Sequence, residues 1–553
     1  MLRRTDRCNV LMVYPRFTAS SFWNYRATCE IVGAKYPAAP LGLITVAALL
    51  PADWTVRLVN RNTGELADAD LEWADLVMTG GMLPQQRDTL RVIEMAQTRG
   101  KPVVVGGPDV SSSPHIYEAA EFRVLGEAEE VMSEFVEAWR SGAERARFEA
   151  RGFPDVTKSP VPRFDLLDFD EYLHVGVQYS RGCPFKCEFC DIIELYGRVP
   201  RFKTAPQMLK ELEALYDLGY RGHVDFVDDN FIGNKKSLKV FLPELGQWLA
   251  SHGYPFEFTT EASINLADDP ALLALMKQSN FFAIFVGIES PDTDTLVGMQ
   301  KLQNTRRILR ESIARIYDAG IFVNAGFIVG FDTEKRSVAQ GMIDCIEETA
   351  IPVCMVGLLY ALPNTQLTRR LLAEGRLHRD HDRVTTDDVA DQCTAGLNFE
   401  MLRPRRDALA DYREVVARVY EPGAYFARVR RVGRALDCSA RKLRMPLRHV
   451  WRDGRASLRM LWRTGIRDAA VRRHWWWTVL DTALHNPRAL RYVFALMALY
   501  LHMGPFSRHV TTRVTHQLGS MDRGEWSEPE TIPVSAAARD PNLVGGVVSL
   551  PHR

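Results

Sequence analysis

The feature that most constrains the fold is an alternation of apolar, β-rich runs with helical stretches, which occurs in two separate blocks. In the first block the runs are NVLMVYP, WTVRLVN, LVMTGG, PVVVGGP and FRVLGE, between Asn9 and Glu127. Continuous apolar strands separated by helices are typical of parallel sheets that helices cover on both faces. The sequence therefore predicts an α/β protein with a doubly wound, Rossmann-type N-terminal domain over residues 1–140.

The second block, residues 172–364, repeats the alternation with six runs, HVGVQYS, HVDFVDD, FEFTTEA, FAIFVGIES, FVNAGFIVGF and VCMVGLLYALP. Six strands of this kind predict a partial (β/α)6 barrel, whose chemistry lies at the carboxyl ends of the strands. Residues 141–171 are richer in Pro, Asp and Arg, and we interpret them as a linker. Residues 365–520 read as a basic helical domain, and the polar segment 521–553 as a poorly ordered tail.

Charge and cysteine usage narrow the class of protein. The net charge of zero says nothing about partners, but residues 413–473 hold 17 Lys and Arg against 5 Asp and Glu, a local charge of +12. Such asymmetry indicates a partner or surface near the C-terminus. We find no signal peptide and no apolar run of roughly 18 residues, the nearest being Tyr492–Gly504. The nine cysteines then indicate metal binding in a reducing cytoplasm rather than disulfides.

Three of these cysteines, Cys183, Cys187 and Cys190, stand in RGCPFKCEFC, directly after the run HVGVQYS. One short loop can supply three thiolates to a 4Fe–4S cluster and leave one iron open. The open iron could chelate the amino and carboxylate groups of S-adenosylmethionine. Zinc is the main alternative, but it usually takes four ligands, and no second cysteine pair is nearby. Unrelated buried cysteines are a further alternative.

The cysteine motif resembles that of the radical S-adenosylmethionine superfamily, in which an aromatic residue, here Phe189, precedes the last cysteine and packs near adenine. The resemblance implies that the ends of the barrel strands bind S-adenosylmethionine through carboxylates, which accept hydrogen bonds from ribose hydroxyls and the methionine ammonium. Each carboxylate could instead cap the next helix. The candidate residues are Asp228, Asp229, Asn230, Glu261, Glu289, Ser290 and, for close approach of the backbone to adenine, Gly326.

A doubly wound domain before such a barrel resembles the cobalamin-binding subclass of that superfamily. Many members carry Asp-x-His-x-x-Gly after the second strand, whereas Asn60, Arg61 and Asn62 stand there in this chain. The missing histidine excludes ligation of cobalt by histidine from this loop but does not exclude cobalamin. The resemblance implies that cobalamin contacts Asn60, Asn62 and the strand-end residues Thr79, Gly80, Gly81, Gly106, Gly107, Gly126 and Glu127. A degenerate domain that binds nothing is the alternative.

Longer strings, among them AKYPAAPLGLITVAALLP, GGPDVSSSPHIYEAA and CDIIELYGRVPR, are similar to the hopanoid C-2 methylase family. That similarity implies a methyltransferase in which a radical derived from S-adenosylmethionine activates a ring carbon of a hopanoid lipid and methylcobalamin supplies the methyl group. An electron donor such as flavodoxin or ferredoxin is then expected. The alternatives are a radical enzyme that acts on RNA or on a different small molecule, and a non-enzymatic metal or redox sensor. We find no second cysteine trio for the auxiliary cluster of a thiotransferase.

Arginines and tryptophans crowd the C-terminal region. The arginine-rich segment runs from Arg428 to Arg444, and Trp451, Trp462 and the triplet Trp475, Trp476 and Trp477 follow it. Arginines attract anionic head groups and tryptophans favour the membrane interface, so we predict a cytoplasmic enzyme that contacts the inner face of the membrane and no nucleic acid. A solvated helical face, with the tryptophans in the core of a small domain, is the alternative.

Overall fold

The computed structural model describes residues 7–18, 20–384, 391–444 and 447–537. The first region alternates strands and helices, as the apolar runs predict. Its elements are β1 (Asn9–Tyr14), α1 (Arg26–Val32), β2 (Tyr36–Ala38), α2 (Leu41–Ala47), β3 (Thr55–Asn60), α3 (Asp68–Trp73), β4 (Leu76–Gly80), α4 (Gln86–Gln97), β5 (Val103–Gly106), α5 (Pro108–Ser112), β6 (Phe122–Leu125), α6 (Ala128–Arg140) and β7 (Ala146–Glu149).

Six of these strands form a parallel sheet in the order β3-β1-β4-β5-β6-β7. The chain winds in one direction from β1 to β3 and in the other from β1 to β7, so the predicted doubly wound fold is confirmed. Two strands depart from the prediction. β7 extends this sheet from within the segment that we interpreted as a linker. β2, only three residues long, leaves the N-terminal sheet and pairs with the next one.

The second region contains all six predicted barrel strands. Its elements are β8 (Tyr172–Val177), β9 (Ser180–Arg181), α7 (Ile192–Leu195), β10 (Arg201–Phe202), α8 (Ala205–Asp217), β11 (Gly222–Phe226), α9 (Lys235–Ser251), β12 (Phe256–Glu261), α10 (Pro270–Gln278), β13 (Phe281–Glu289), α11 (Thr293–Gly298), α12 (Leu309–Asp318), β14 (Phe322–Val329), α13 (Ala339–Thr349) and β15 (Val353–Leu358).

The barrel strands pair in parallel in the order β15-β14-β13-β12-β11-β8-β2. β15 and β2 are the two edges and do not pair with each other, so the barrel is partial, as predicted. Val175, Val224 and Phe258 are fully buried and belong to one large hydrophobic core. Because side chains alternate along a strand, His174, His223 and Thr259 point to the opposite, inner face. The parallel pairing places all carboxyl ends of these strands at one rim.

The C-terminal region is helical. It comprises α14 (Gln366–Ala373), α15 (Arg405–Val419), α16 (Pro422–Ala435), α17 (Leu447–Met460), a π-helical segment (Leu461–Arg467), α18 (Arg472–His485), α19 (Leu490–Asp522) and α20 (Val534–Ala537). Arg491, near the start of α19, forms an ion pair at 2.6 Å with Glu257 of β12, and Tyr492 stacks on Phe282 of β13. The region therefore covers the amino-terminal end of the barrel.

Helix α19 is long and apolar enough to cross a membrane by length and composition alone, because it continues past Gly504 through Pro505. However, 67% of its apolar window is buried inside the protein. The hydroxyl of Thr28 donates to Ala498 O at 3.0 Å, and His502 lies 3.1 Å from Phe22 O. The apolar surface of α19 is thus used in packing against the N-terminal region and the other C-terminal helices.

The arginines of α16 and the segment after it do not form the free basic surface that we predicted. Arg428 is fully buried and donates to Ile351 O at 2.9 Å and to Glu347. Arg434 pairs with Asp481, and Arg441 donates to backbone carbonyls of the barrel. Arg428 and Arg441 thus join the helices to the barrel, whereas the half-exposed Arg434 joins α16 to α18.

The predicted disorder of the tail is wrong for residues 521–537. Glu528 forms ion pairs with Arg405 and with His378, and Ile532 is buried. Thr531 forms a β-bridge with His378. Residues 538–553, the rest of the predicted tail, lie outside the described residues.

Candidate active site

The three cysteines lie in the loop that follows β8 and the short strand β9. Gly182, just before Cys183, has a φ of +93°, and a side chain there would place Cβ 2.9 Å from the carbonyl oxygens of Tyr196 and Gly197. The N–H of Cys183 donates to the same Gly197 O at 3.2 Å. Glycine is therefore required at the turn that brings the first cysteine to the rim of the barrel.

The three thiol groups lie near one another, and two of them face side-chain amide donors. Burial raises the pKa of the Cys183 thiol and of the Cys190 thiol, and each thiol is affected electrostatically by Cys187. Asn230 Nδ2 lies 3.9 Å from Cys183 Sγ, and Gln303 Nε2 lies 3.8 Å from Cys187 Sγ, both as donors. Three converging thiols with N–H donors to sulfur fit an iron–sulfur cluster, and the binding of metal would release their protons.

The zinc alternative gains no support from this geometry. Within the described residues, no three His, Cys, Asp or Glu side chains are placed as ligands around a single metal ion.

The end of β11 holds the cysteine loop in place. The N–H of Tyr179 donates to Asp228 at 3.0 Å, and the N–H of Gly182 donates to Asp229 at 2.8 Å. Burial raises the pKa of Asp228 to about 7 and that of Asp229 to about 6. Asn230 accepts from Ser263 N at 3.1 Å while its amide faces Cys183. These three residues, which we expected at the methionine moiety, thus have contacts that position the cluster ligands.

The end of β13 carries a buried ion pair. Glu289 pairs with Lys301, and both side chains are at most one-tenth exposed. Burial lowers the pKa of Lys301, but Glu289 and the nearby Cys187 outweigh this effect and raise it. The Lys301 ammonium also lies 5.8 Å from the ring centre of Phe189. The pair therefore lies beside the cysteine loop. Lys301 was missed by the sequence reasoning, because a single lysine after a helix carries no pattern.

Of the remaining predicted residues of the barrel, Ser290 and Phe189 lie at the same rim, whereas Gly326 lies within β14. Ser290 is buried and its hydroxyl accepts from Asp292 N, a contact that stabilises the turn before α11. The ring of Phe189 packs 5.9 Å from that of Phe331, at the end of the GFIVGF string. A side chain at Gly326 would place Cβ 3.2 Å from the ring of Phe285, which explains a small residue there.

Glu261, at the end of β12, differs from the other carboxylates. Its residue is exposed to solvent on the inner side of the barrel, and it has no hydrogen-bond partner within the described residues. It is nevertheless surrounded by protein. Burial, followed by the charges of Asp225, Asp229 and Asp228, raises its pKa to about 8. An unpaired carboxyl group at this rim is available to a ligand.

A cleft of about 450 Å³ separates the N-terminal sheet from the barrel. At Gly80 a Cβ would lie 1.9 Å from Gly106 O, so only glycine allows β4 and β5 to end this close together. Among the described residues, none of those that line the cleft is a histidine. Seven of the nine residues that we predicted to contact cobalamin line it, namely Thr79, Gly80, Gly81, Gly106, Gly107, Gly126 and Glu127.

The other two, Asn60 and Asn62, do not line the cleft. Asn60 donates to the hydroxyl of Tyr172 at 3.1 Å and accepts from Asn62 N at 2.9 Å. Asn62 accepts from Phe17 N at 2.8 Å. The two amides hold the loop after β3 against the segment after β1 and against β8. The prediction that they contact cobalamin, which rested only on their place in a sequence motif, is therefore wrong.

Arg181 joins this cleft to the cysteine loop. It forms ion pairs with Glu127 at 2.5 Å and with Glu129 at 2.7 Å, and Arg201 also pairs with Glu127 at 2.5 Å. The Glu127 carboxylate, expected to face a cofactor, is therefore occupied by two arginines. Arg181 and Arg201 were missed, although Arg181 stands two residues before Cys183 in the motif itself.

Comparisons with known proteins agree with this arrangement. Residues 177–346 match the radical SAM superfamily, and residues 365–516 match a domain of unknown function, DUF4070. The chain is 41% identical to an uncharacterized methyltransferase of Synechocystis sp. over 92% of this chain and 94% of that protein. It is 36% identical to the hopanoid C-2 methylase of Rhodopseudomonas palustris, over 76% of this chain and 78% of the methylase.

Two solved structures share the fold at low sequence identity. The cobalamin-dependent S-adenosylmethionine radical enzyme OxsB, with aqua-cobalamin and S-adenosylmethionine bound, has a TM-score of 0.58 at 13% identity, covering 95% of this chain and 82% of OxsB. The radical S-adenosylmethionine methyltransferase TsrM from Kitasatospora setae has a TM-score of 0.54 at 15% identity, covering 87% and 99%. This chain therefore belongs to the radical S-adenosylmethionine superfamily, in the methyltransferase family that includes the hopanoid C-2 methylase.

Proposed function

We propose that this protein is a cobalamin-dependent radical methyltransferase that methylates an unactivated ring carbon, C-2, of a hopanoid. The observation that carries the proposal is the contact between its two candidate cofactor regions. Arg181 extends from the strand before the cysteine loop into the glycine-edged cleft and pairs there with Glu127 and Glu129. A substrate at the rim of the barrel would thus lie between both regions, as the transfer of a methyl group to a carbon radical requires.

The residues on each side have distinct tasks in this proposal. Cys183, Cys187 and Cys190 would hold the 4Fe–4S cluster, with Asp228, Asp229 and Asn230 fixing their loop. Glu261 and the Glu289–Lys301 pair would orient S-adenosylmethionine at the rim. When bound, the cluster and S-adenosylmethionine supply a radical that can abstract a hydrogen atom from an unactivated carbon, and cobalamin supplies a transferable methyl group.

The cleft would hold cobalamin without histidine. Its lining includes Tyr14, Leu41 and Met82 beside the glycines, and no histidine is among the described residues that line it. The flat, glycine-rich edge of the sheet leaves room for a ring, and its apolar side chains exclude water from it. Leu41 and its neighbours in α2 were not predicted, because their apolar side chains belong to no binding motif.

The hopanoid substrate is supported by the 36% identical relative, which carries that activity in its name. Other substrates are known by name among more distant relatives, including a bacteriochlorophyllide d C-12(1)-methyltransferase of Chlorobaculum tepidum at 24% identity. We further propose that the enzyme acts in the cytoplasm, at the inner face of the membrane where a hopanoid would reside, and accepts electrons from a flavodoxin or ferredoxin.

The test is anaerobic reconstitution with iron, sulfide and hydroxocobalamin. The protein then reacts with excess S-adenosylmethionine, reduced flavodoxin as the electron donor, and a detergent-dispersed hopanoid that lacks the C-2 methyl group. We expect a hopanoid heavier by one methyl substitution, together with 5′-deoxyadenosine and S-adenosylhomocysteine. Cys190→Ala is the matched control and should give neither the methylated hopanoid nor 5′-deoxyadenosine. Methylation of a tetrapyrrole but not of the hopanoid would show that the proposed substrate is wrong. Cleavage of S-adenosylmethionine without methylation of either compound would show that the proposed reaction is wrong.

A further inference from the structure

Exposed apolar side chains are concentrated in one short stretch of the C-terminal region. Of the twenty large apolar side chains that are exposed among the described residues, eight lie between positions 451 and 484. We define the tryptophan surface by these eight residues, which are Trp451, Leu458, Trp462, Ile466, Trp476, Trp477, Leu480 and Leu484. Single exposed apolar residues are normal, but a contiguous set indicates an interaction site.

Helix α17 has two apolar faces, where a surface helix needs only one. Ala456 and Met460 face inward and are buried. Trp451 and Leu458 are two helical turns apart and therefore share the outer face, where they are 74% and 66% exposed. Trp462 continues this face one turn later, at 58% exposed. The outer apolar stripe contributes nothing to the packing of α17 on the protein.

Helix α18 repeats the arrangement. Trp475, Thr478 and Thr482 are buried on the inner face, whereas Trp477, Leu480 and Leu484 are exposed on the outer face. The two stripes adjoin, since the indole N–H of Trp476 donates to Gly465 O at 3.0 Å, next to Ile466. Leu484, at 81%, is among the most exposed leucines. The apolar stripes of the two helices therefore approach each other at the π-helical segment that carries Ile466.

Exposed arginines border the tryptophan surface. The exposed arginines of the same stretch are Arg455, Arg459, Arg463, Arg467, Arg472 and Arg473. Arg463 approaches Glu30 only at 3.9 Å, and Arg455, Arg467 and Arg473 have no ion pair within the described residues. These are not the arginines of α16, which are used internally. Six cationic groups around exposed indoles complement an anionic, partly apolar partner.

We propose that the tryptophan surface docks on an anionic lipid bilayer. Indole rings lie at the boundary between head groups and acyl chains, and arginines pair with anionic head groups. A nucleic acid would use the arginines but would leave Leu458, Leu480 and Leu484 in water. The inference deepens the proposed function, because it names the surface that would present the enzyme to a lipid substrate.

Vesicle sedimentation of the whole protein tests this proposal without turnover. We expect the protein to sediment with vesicles of phosphatidylcholine and phosphatidylglycerol at low salt, and about tenfold less with phosphatidylcholine alone or at high salt. The triple variant Trp451→Ser, Trp462→Ser and Trp477→Ser should lose this binding. The matched control, Val240→Ser, Leu302→Ser and Leu402→Ser, removes exposed apolar groups elsewhere and should retain it.

A second triple variant, Arg455→Gln, Arg467→Gln and Arg473→Gln, should weaken binding to anionic vesicles about tenfold, whereas Arg151→Gln, Arg310→Gln and Arg336→Gln should not. Equal sedimentation of all variants, or no sedimentation of the intact protein, overturns the proposal. A concentration-dependent dimer that the tryptophan variant abolishes, without vesicle binding, makes a second copy the occupant and also overturns it. Methylation of a detergent-dispersed hopanoid is measured in parallel, so failure of the docking surface and failure of the proposed function are separable.

Discussion

The buried ion pair between Glu289 and Lys301 gives the sharpest quantitative prediction for the fold of the site. Both residues are less than one-tenth exposed, and a Cβ on Gly287 would lie within 2.6 Å of the Lys301 ammonium, so the pair is tightly enclosed. Lys301→Met removes the cation and leaves the Glu289 carboxylate without its partner. The removal of one member of a buried pair costs about 3–5 kcal/mol, because the remaining charge keeps its desolvation penalty.

The measurement is urea unfolding of the metal-free protein, followed through the transition of the barrel. We expect Lys301→Met to lower the free energy of unfolding by that amount. The double variant Glu289→Gln with Lys301→Met should recover most of the loss, since it buries no net charge. The matched control is Arg523→Gln, at an ion pair with Glu525 that is more than half exposed on both sides, and it should change stability by less than about 0.5 kcal/mol.

Two results would refute this reasoning. A loss for Lys301→Met no larger than that for Arg523→Gln would mean that the pair is solvated in solution. A double variant as unstable as the single variant would mean that packing of the lysine chain, rather than the unpaired charge, carries the effect.

Three further predictions address the cofactors and the rim of the barrel. Replacement of Cys183, Cys187 and Cys190 by Ala should abolish iron and sulfide binding and cleavage of S-adenosylmethionine; retention of a cluster would disprove the ligand assignment. Protein reconstituted with hydroxocobalamin and reduced to Co(II) should show no histidine nitrogen in its electron paramagnetic resonance spectrum, because no histidine is among the described residues that line the cleft. Strong nitrogen superhyperfine splitting from a protein histidine would contradict this prediction. Since the pKa of Glu261 is raised to about 8 when folded, the folded chain retains a proton that the unfolded chain loses, and stability should fall as the pH rises from about 5 to 8. Glu261→Gln should reduce that fall without abolishing it, because the pKa values of Asp228 and Asp229 are also raised. A variant whose stability relative to the parent does not rise with pH would show that this carboxyl group titrates normally.

The sequence predicted the sheets well because their strands are buried on both faces. NVLMVY and VVVG are almost wholly buried, and an uninterrupted apolar run then reveals the strand directly. The strands that were missed lack this signal. β2 is only YPA, and β7, ARFE, buries one residue of four, so pairing with a neighbour rather than local pattern creates both.

The sequence predicted where the residues of the candidate site lie more reliably than it predicted which groups they contact. Motifs placed Asp228, Asp229 and Glu127 correctly at strand ends, because parallel strands carry all carboxyl ends to one rim. Which group each carboxylate faces depends on tertiary neighbours. Gly182 N takes the oxygen of Asp229, and Arg181 and Arg201 take those of Glu127. A motif therefore predicts the type of side chain at a strand end but not which hydrogen-bond donors contact it.

The contacts of Arg181, which the sequence reasoning missed, connect the barrel to the N-terminal domain. Arg181 belongs to the string that holds the cluster ligands, yet its ion-pair partners among the described residues, Glu127 and Glu129, lie across the cleft. A buried arginine that lost these partners would carry a large desolvation cost, so the two regions are expected to keep one relative position. Methyl transfer to a carbon radical depends on fixed distances between donor, acceptor and substrate. The hydrogen bond between Gly182 and Asp229 fixes the cysteine loop within the barrel. The ion pairs of Arg181 fix that loop relative to the N-terminal domain, so both regions are positioned before a substrate binds.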